Sequence, residues 1–402
     1  MDHATRHALR QQEAPPLLNK IHTHILTMSY SKNLLFDEGL NRFGGAILSP
    51  LNYTPDDVAD QLTRLKEREN FVTLFDPHLY RPQSERMCLP SWDYYPRDVE
   101  TADFTPDWWA GIVDKLAETA LKLGPTAVAS PAIVPKTFPD EFYLELVQNG
   151  NRLESVLRST PVKPTQTIVA SLVDLTAPQR AMSIASIMSK SRIEDCLLVL
   201  IGNTDPRREL ADPEELKGAM KLIAALESGG QRVTVASCSS EMILWKAAGA
   251  TNCATGKFFN LRRFTISRFE EPDCSGGGQL GYWFEEALLG FLRQSDLLRV
   301  NAQKLLSDAS AGNPFSQQIL DNIPAQKAWV ALGWRHFMYW FADAEFRLRA
   351  GSVSAQDLVT AADATWGAVE NSKPKIFMEE RQNNGDWVRQ WRRALEEFPY
   401  FE

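Results

Sequence analysis

Short apolar runs and amphipathic stretches take turns along most of this chain. GGAILSP (Gly44 to Pro50), FVTLFDP (Phe71 to Pro77) and TAVASPAIVP (Thr126 to Pro135) are continuous apolar runs. TIVASLVDL (Thr167 to Leu175) and CLLVLIGN (Cys196 to Asn203) repeat the pattern, as do Arg232 to Ser237 and Ala250 to Ala254. Runs of this length that are apolar on both faces predict strands of a parallel sheet. Between them lie segments with helical spacing. Thr54-Pro55-Asp56-Asp57 supplies an N-cap and a proline for the first turn of one helix, and Thr105-Pro106-Asp107 does the same for the next. Strand eight is the least marked and is placed at Phe264 to Phe269, before a helix over GQLGYWFEEALLGFLRQ.

Seven clear strand–helix alternations and one weaker one predict an α/β fold, a (β/α)₈ TIM barrel. A doubly wound open sheet is the runner-up. It usually carries a glycine-rich phosphate turn after its first strand, and Ser49-Pro50-Leu51-Asn52 is not one. From about Val300 the alternation gives way to long helices rich in tryptophan, which predict an additional C-terminal helical subdomain. The expected layout is therefore a lead-in over 1–42, a barrel over 43–298 and helices over 299–402. HTHILTMSYS (His22 to Ser31) in the lead-in has the makings of a further strand.

Composition narrows the classes. A net charge of −8 speaks against a generally basic nucleic-acid coat but leaves room for a local basic cleft. The five cysteines form no CxxC pair and no metal-finger spacing, which fits a reducing cytoplasm, with Cys196 and Cys253 as core thiols. No apolar run is long enough to cross a membrane. No metal-ligating set such as HExxH is present, and no cofactor is expected.

Barrel chemistry sits at the C-terminal ends of the strands. Asp76 ends its strand and is a candidate base or purine acceptor, with His78 and Tyr80 close behind it. Asp174 is a candidate nucleophile or base, or else a helix cap. Gly202 permits close backbone approach to a flat ligand, and Asn203 offers a donor beside it. Ser237 stands at the end of the sixth strand. Gly256 and Lys257, followed by Asn260, Arg262 and Arg263, form a candidate phosphate or nucleic-acid site. Arg389, Arg392 and Arg393 beside Trp387 and Trp391 offer a surface for a nucleic acid, a protein partner or a second copy of the chain, or a solvated face of a packed helix.

The order of these features resembles the tRNA-guanine transglycosylase barrels. FVTLFDPHLYRP, LLVLIGN and VTVASCSSEMILWKAAGATNCATGKFFNLRRF carry the resemblance, over roughly Gly44 to Arg263. It implies that Asp76 recognises a guanine or 7-deazaguanine base, free or in nucleic acid, that Gly202 and Asn203 contact it, and that Lys257 and Arg262 hold phosphate or ribose. It further implies a place in the queuosine pathway or in antiphage loci carrying 7-deazaguanine genes. The family's nucleophilic aspartate falls at about Ala254 or Thr255, and its zinc motif is missing. Three functions follow: base exchange with Asp174 as nucleophile, a catalytically silent barrel that recognises a deazaguanine-modified partner, or an unrelated barrel enzyme on a small phosphorylated substrate.

Overall fold

A computed structural model describes residues 22–25 (backbone only), 34–36, 40, 42–97, 99–100, 104–270, 280–380 and 383–398. Eight parallel strands close into a barrel in chain order. They are β1 (His22–Ile25), β2 (Gly45–Leu48), β3 (Val72–Phe75), β4 (Ala127–Ala129), β5 (Lys163–Ser171), β6 (Asp195–Ile201), β7 (Arg232–Val235) and β8 (Asn252–Thr255). Closure is made by β1, which pairs with β2 on one side and β8 on the other. With no free edge left, the strands' central residues are sealed: Ala46, Leu74, Val128, Ile168, Leu198, Val233 and Cys253 are all fully buried.

The helices α1 (Pro55–Leu65), α2 (Pro106–Leu123), α3 (Asp140–Leu157), α4 (Arg180–Met188), α5 (Pro213–Ser228) and α6 (Met242–Ala247) wrap this core. Their boundaries follow local chemistry. Thr54 caps α1 through a capping box with Asp57, and Pro55 takes a position whose N–H has no helical partner anyway. Thr105 and Asp212 cap α2 and α5 through side-chain oxygens. α2 ends at Gly124 in the left-handed conformation.

Two expectations are corrected. Phe264 to Phe269 is not strand eight: after a single bridge from Phe264 to Ile201, Ile266–Phe269 forms a 3₁₀ turn. Its apolar residues mimic a strand because they plug the barrel mouth. The strand that completes the ring is β1, in the segment expected as a lead-in. The segment GQLGYWFEEALLGFLRQ, described from Leu280 on, is not one helix there. It folds as an antiparallel hairpin, β9 (Trp283–Glu285) and β10 (Gly290–Leu292). Trp283, Phe284, Leu288, Leu289 and Leu292 are all buried, so no exposed face gives the sequence a period from which to tell helix from strand.

The C-terminal helices are α7 (Gln294–Ala302), α8 (Asp308–Ala311), α9 (Ser316–Asn322), α10 (Val330–Arg349), α11 (Ala355–Glu370) and α12 (Asp386–Glu397). α10 takes the outer-helix position that follows β8. It packs on β8 and α6, and its buried Glu345 lies 3.2 Å from Lys246 of α6. α12 packs on α5, where Trp391 donates to the Leu210 carbonyl at 2.6 Å. The indoles of Trp329, Trp340, Trp366, Trp387 and Trp391 are interior. Arg389, Arg392 and Arg393 pair with Asp363, Glu370 and Glu397. Cys196, Cys238 and Cys253 are buried free thiols, and Cys274 lies outside the described residues. Among the described residues no helix is long and apolar enough to cross a membrane.

Candidate functional site at the carboxyl face

The plug is a strap, Phe264 to Glu270, that spans the mouth from the end of β6 to the loop after β3. Ser84 donates to the Phe269 carbonyl at 2.7 Å. Arg86 donates to the Arg268 and Glu270 carbonyls, each at 2.6 Å. Arg81 forms an ion pair with Glu270. From the strap, Arg268 reaches down to donate to Ser49 Oγ at 3.2 Å.

Beneath it lie Asp76, His78 and Tyr80, all buried. Asp76 Oδ1 accepts the His78 backbone N–H at 3.1 Å, and Oδ2 accepts the Tyr80 hydroxyl at 3.0 Å. His78 Nε2 is 3.3 Å from the same Oδ2, and Nδ1 is 3.1 Å from Ser49 Oγ. Burial pushes the His78 imidazole below its usual range, against the pull of Asp76. Burial and then Asp76 hold the Tyr80 phenol well above its own. Arg268 is lowered to about 10 by burial and still carries its charge at neutral pH. The Phe264 and Phe269 rings pack edge-on to Tyr80, at 5.0 and 5.7 Å.

The other sequence-derived residues are placed elsewhere. Asp174 opens a 3₁₀ turn and is bound by Arg180 Nε at 2.7 Å, so its carboxylate belongs to the α3–α4 side rather than to the Asp76 cluster. Gly202 packs against Leu172, where an added Cβ would come 2.9 Å from the terminal Cδ1 of that side chain; Asn203 is exposed. Ser237 is buried with φ of 57°. Gly256 lets Leu261 close the turn after β8, since a Cβ there would overlap that side chain. Lys257 Nζ sits 4.6 Å from the Phe258 ring and 4.8 Å from Trp334, with no hydrogen-bond partner among the described residues. Burial lowers it to about 8. Arg262 donates to the Gly256 and Lys257 carbonyls and lies 3.7 Å from the Phe337 ring centre. Asn260 faces solvent.

Arg263 leads to a group the sequence reading missed. Its Nη1 donates to the Asp205 carbonyl at 3.1 Å, and its Nη2 stands 3.7 Å from Glu241 Oε2. Beside them Glu209 Oε2 accepts from Ser240 Oγ at 3.0 Å. Burial first, and the neighbouring Glu241 second, raise Glu209 to about 8. Burial raises Glu241 as well, while Arg263 opposes it. Glu209 forms part of the wall of a cavity of about 320 Å³, whose rim holds Arg207, Arg208, Tyr282, Asn383 and Asn384. Glu380 and Asp386 also border it, but Glu380 is met by Arg293 at 2.8 Å and Asp386 by Arg389 at 3.6 Å. Among the described residues the Arg207 and Arg208 guanidinium groups make no ion pair. The unmet charge of the cavity is therefore positive. The signal for this site was the run Pro206-Arg207-Arg208-Glu209, which begins one residue beyond Asp205 in the same strand-end loop.

A larger cavity, about 600 Å³, lies between the loop 90–97 and α2. It is lined by Trp92, Tyr95 and Trp108 and holds none of the perturbed carboxyl groups at the strand ends. The smaller cavity is the better candidate for chemistry, because carboxyl, hydroxyl and guanidinium groups converge there. Among the described residues no three metal-ligating side chains come together.

No family model matches this chain, and no curated protein matches it. Solved structures that match include a chain of the tryptophan synthase complex from Pyrococcus furiosus, at 13% identity over 59% of this chain and 87% of that chain, TM-score 0.35. A type I 3-dehydroquinate dehydratase from Clostridium difficile matches at 8% identity over 62% and 88%, TM-score 0.33. An HpcH/HpaI aldolase from Desulfitobacterium hafniense matches at 12% identity over 59% and 86%, TM-score 0.33. Likeness at this level speaks to no activity. The fold is a (β/α)₈ barrel with helices appended at its C-terminal end.

The transglycosylase resemblance is corrected by these findings: no family model supports it, and the matching structures named here are other barrels. The geometry gives a physical reason. Both Asp76 oxygens are already engaged, by the His78 backbone N–H and the Tyr80 hydroxyl, so neither is left over to recognise a purine edge.

Proposed function

We propose that this barrel is an enzyme acting on a small anionic substrate, of the size of a phosphorylated sugar, at the Glu209 cavity. One observation carries the reading. A carboxyl group that keeps its proton to about pH 8 stands in the wall of a small cavity whose unmet charge comes from two arginines. The arginines would hold the anion, and a protonated Glu209 would donate to an oxygen that develops charge as the substrate reacts. Tyr282 borders the anion site as a neutral phenol, raised by burial and then by Glu380, with its hydroxyl donating to Glu380 Oε1 at 3.3 Å. The reaction class is proton transfer at a substrate bound through its anion. A cavity of this volume admits a small metabolite and excludes a nucleic-acid strand.

Calorimetric titration with inorganic phosphate and with three- to six-carbon sugar phosphates tests this. Binding is expected, weakening as salt rises. Converting both Arg207 and Arg208 to Ala should reduce phosphate affinity by about 10–100-fold, because each charge-assisted hydrogen bond lost costs about 1.5–3 kcal/mol before partial compensation by water. Failure of every phosphorylated compound to bind, or equal binding by the double variant, would refute the reading.

A further inference from the structure

Ser49, His78 and Asp76 stand in a line under the strap. Ser49 Oγ is 3.1 Å from His78 Nδ1, and His78 Nε2 is 3.3 Å from Asp76 Oδ2. A carboxylate only accepts, so the imidazole proton belongs on Nε2 and Nδ1 is left to accept from the serine. The hydroxyl, the base and the group that orients the base are therefore all present, with the two ring nitrogens exchanged relative to the chymotrypsin triad. Tyr80 adds a hydrogen bond to Asp76 that fixes the carboxylate. His78 has φ of 54°, a left-handed conformation that a non-glycine residue adopts at a cost. That conformation lets its backbone N–H and its ring address the same carboxylate. Ser49 is fully buried, and its oxygen accepts a hydrogen bond from Arg268 on the strap.

We propose that Ser49 is a latent nucleophile, activated by His78 and Asp76 and held shut by the strap Phe264–Glu270, and that with the strap displaced it cleaves uncharged acyl esters. The two strap rings set the substrate class, because the Arg268 charge belongs to the strap and leaves with it. Phe264 and Phe269 fill the volume above Tyr80 and His78, and an acyl chain would take their place when the strap moves. The strap is pinned at its far end by groups outside the relay: Arg86 holds the Arg268 and Glu270 carbonyls, and Ser84 holds that of Phe269.

The step balances with water as co-reactant. Ser49 Oγ bonds to the ester carbonyl carbon while its proton passes to His78 Nδ1. The ester C–O bond then breaks, and the alcohol leaves with that proton. Water adds to the acyl-serine and gives a proton to His78. The Oγ–C bond breaks and Ser49 recovers the proton, leaving acid and alcohol. Asp76 holds the imidazolium throughout and takes no proton.

The test is covalent labelling of the full chain with an uncharged alkyl fluorophosphonate, with the modified peptide read by mass spectrometry. The wild type should label slowly and at Ser49. Arg86→Ala loosens the strap without touching the relay and should label at least about 10-fold faster, as expected if opening limits the reaction. His78→Gln should label at least about 100-fold slower than wild type, the loss expected for removal of a general base. Melting curves verify that both variants are folded, and Ser49→Ala should give no adduct at that peptide. No Ser49 adduct in either the wild type or Arg86→Ala would overturn the proposal. So would an adduct that forms in His78→Gln at the wild-type rate. The probe carries no anion, so the result is independent of the Glu209 cavity.

Discussion

Replacing Glu209 by glutamine is expected to stabilise the protein at pH 9 and to leave its stability almost unchanged at pH 4.5. The carboxyl is raised to about 8 in the folded chain, against about 4.3 for an unperturbed glutamate. Between these values the folded state binds a proton that the unfolded state does not. Stability from this group is therefore greatest at low pH and declines as pH rises through 8, where a buried charge must be carried beside Glu241. At about 1.36 kcal/mol per unit the shift sets an upper limit of a few kcal/mol, because Glu209 is only partly buried and borders the cavity. Glu241 shares the same field and relaxes when Glu209 is neutral, so about 2 kcal/mol is the expected gain at pH 9. Glutamine keeps the acceptor for Ser240 Oγ and loses only the charge. Calorimetric melting at the two pH values measures the difference directly. Equal melting shifts at both would mean that the raised carboxyl is not Glu209. A stabilising substitution at this position would also carry meaning for function, since a chain holds a destabilising buried acid where its chemistry needs one.

The parts of this molecule that are written locally were readable from the chain. Each of the strands β2 to β8 overlaps an apolar run, although β5 starts four residues before its run, at Lys163, and Thr54, Thr105 and Gly124 mark helix ends by chemistry that acts within four residues. What failed to show was written at long range. β1 lies in a stretch that reads as a strand, but its place in the ring is set by pairing with β2 and β8, where the partners of His22 are Gly45 and Ala254, 23 and 232 residues on. Phe264 to Phe269 has the composition of a strand, yet its burial comes from crossing the mouth. Glu209 sits in a run of charged residues that reads as a solvated loop. The hairpin β9–β10 and the residues about the start of α12, both far along the chain, help to enclose it. His78 and Asp76 were recognisable as a strand-end pair, but Ser49, 29 residues earlier, could be joined to them only by the register of β2 on β3.

Gly385→Ala is expected to cost at least about 3 kcal/mol and to open the Glu209 cavity from the side of the C-terminal helices. Two penalties add. The residue has φ of 80°, where a Cβ costs roughly 1–2 kcal/mol. An added Cβ would also stand 2.8 Å from Trp366 Cδ1 and nearer still to Cγ and Cδ2 of the same indole. That ring has little freedom to yield. It is buried, its Nε1 donates to the Leu288 carbonyl at 2.9 Å, and Trp387 packs edge-on against it at 5.4 Å. Relief must come from the backbone instead, by moving the start of α12 outward. Asn383, Asn384, Asp386 and Trp387 all lie in that stretch and border the cavity. Denaturant unfolding reads the stability loss, and phosphate titration of the folded variant reads the site. Weakened binding together with lost stability would show that the appended helices complete the cavity. Lost stability with undiminished binding would mean that Arg207 and Arg208 hold the anion from the barrel alone, and the helices would then be a structural buttress to the barrel.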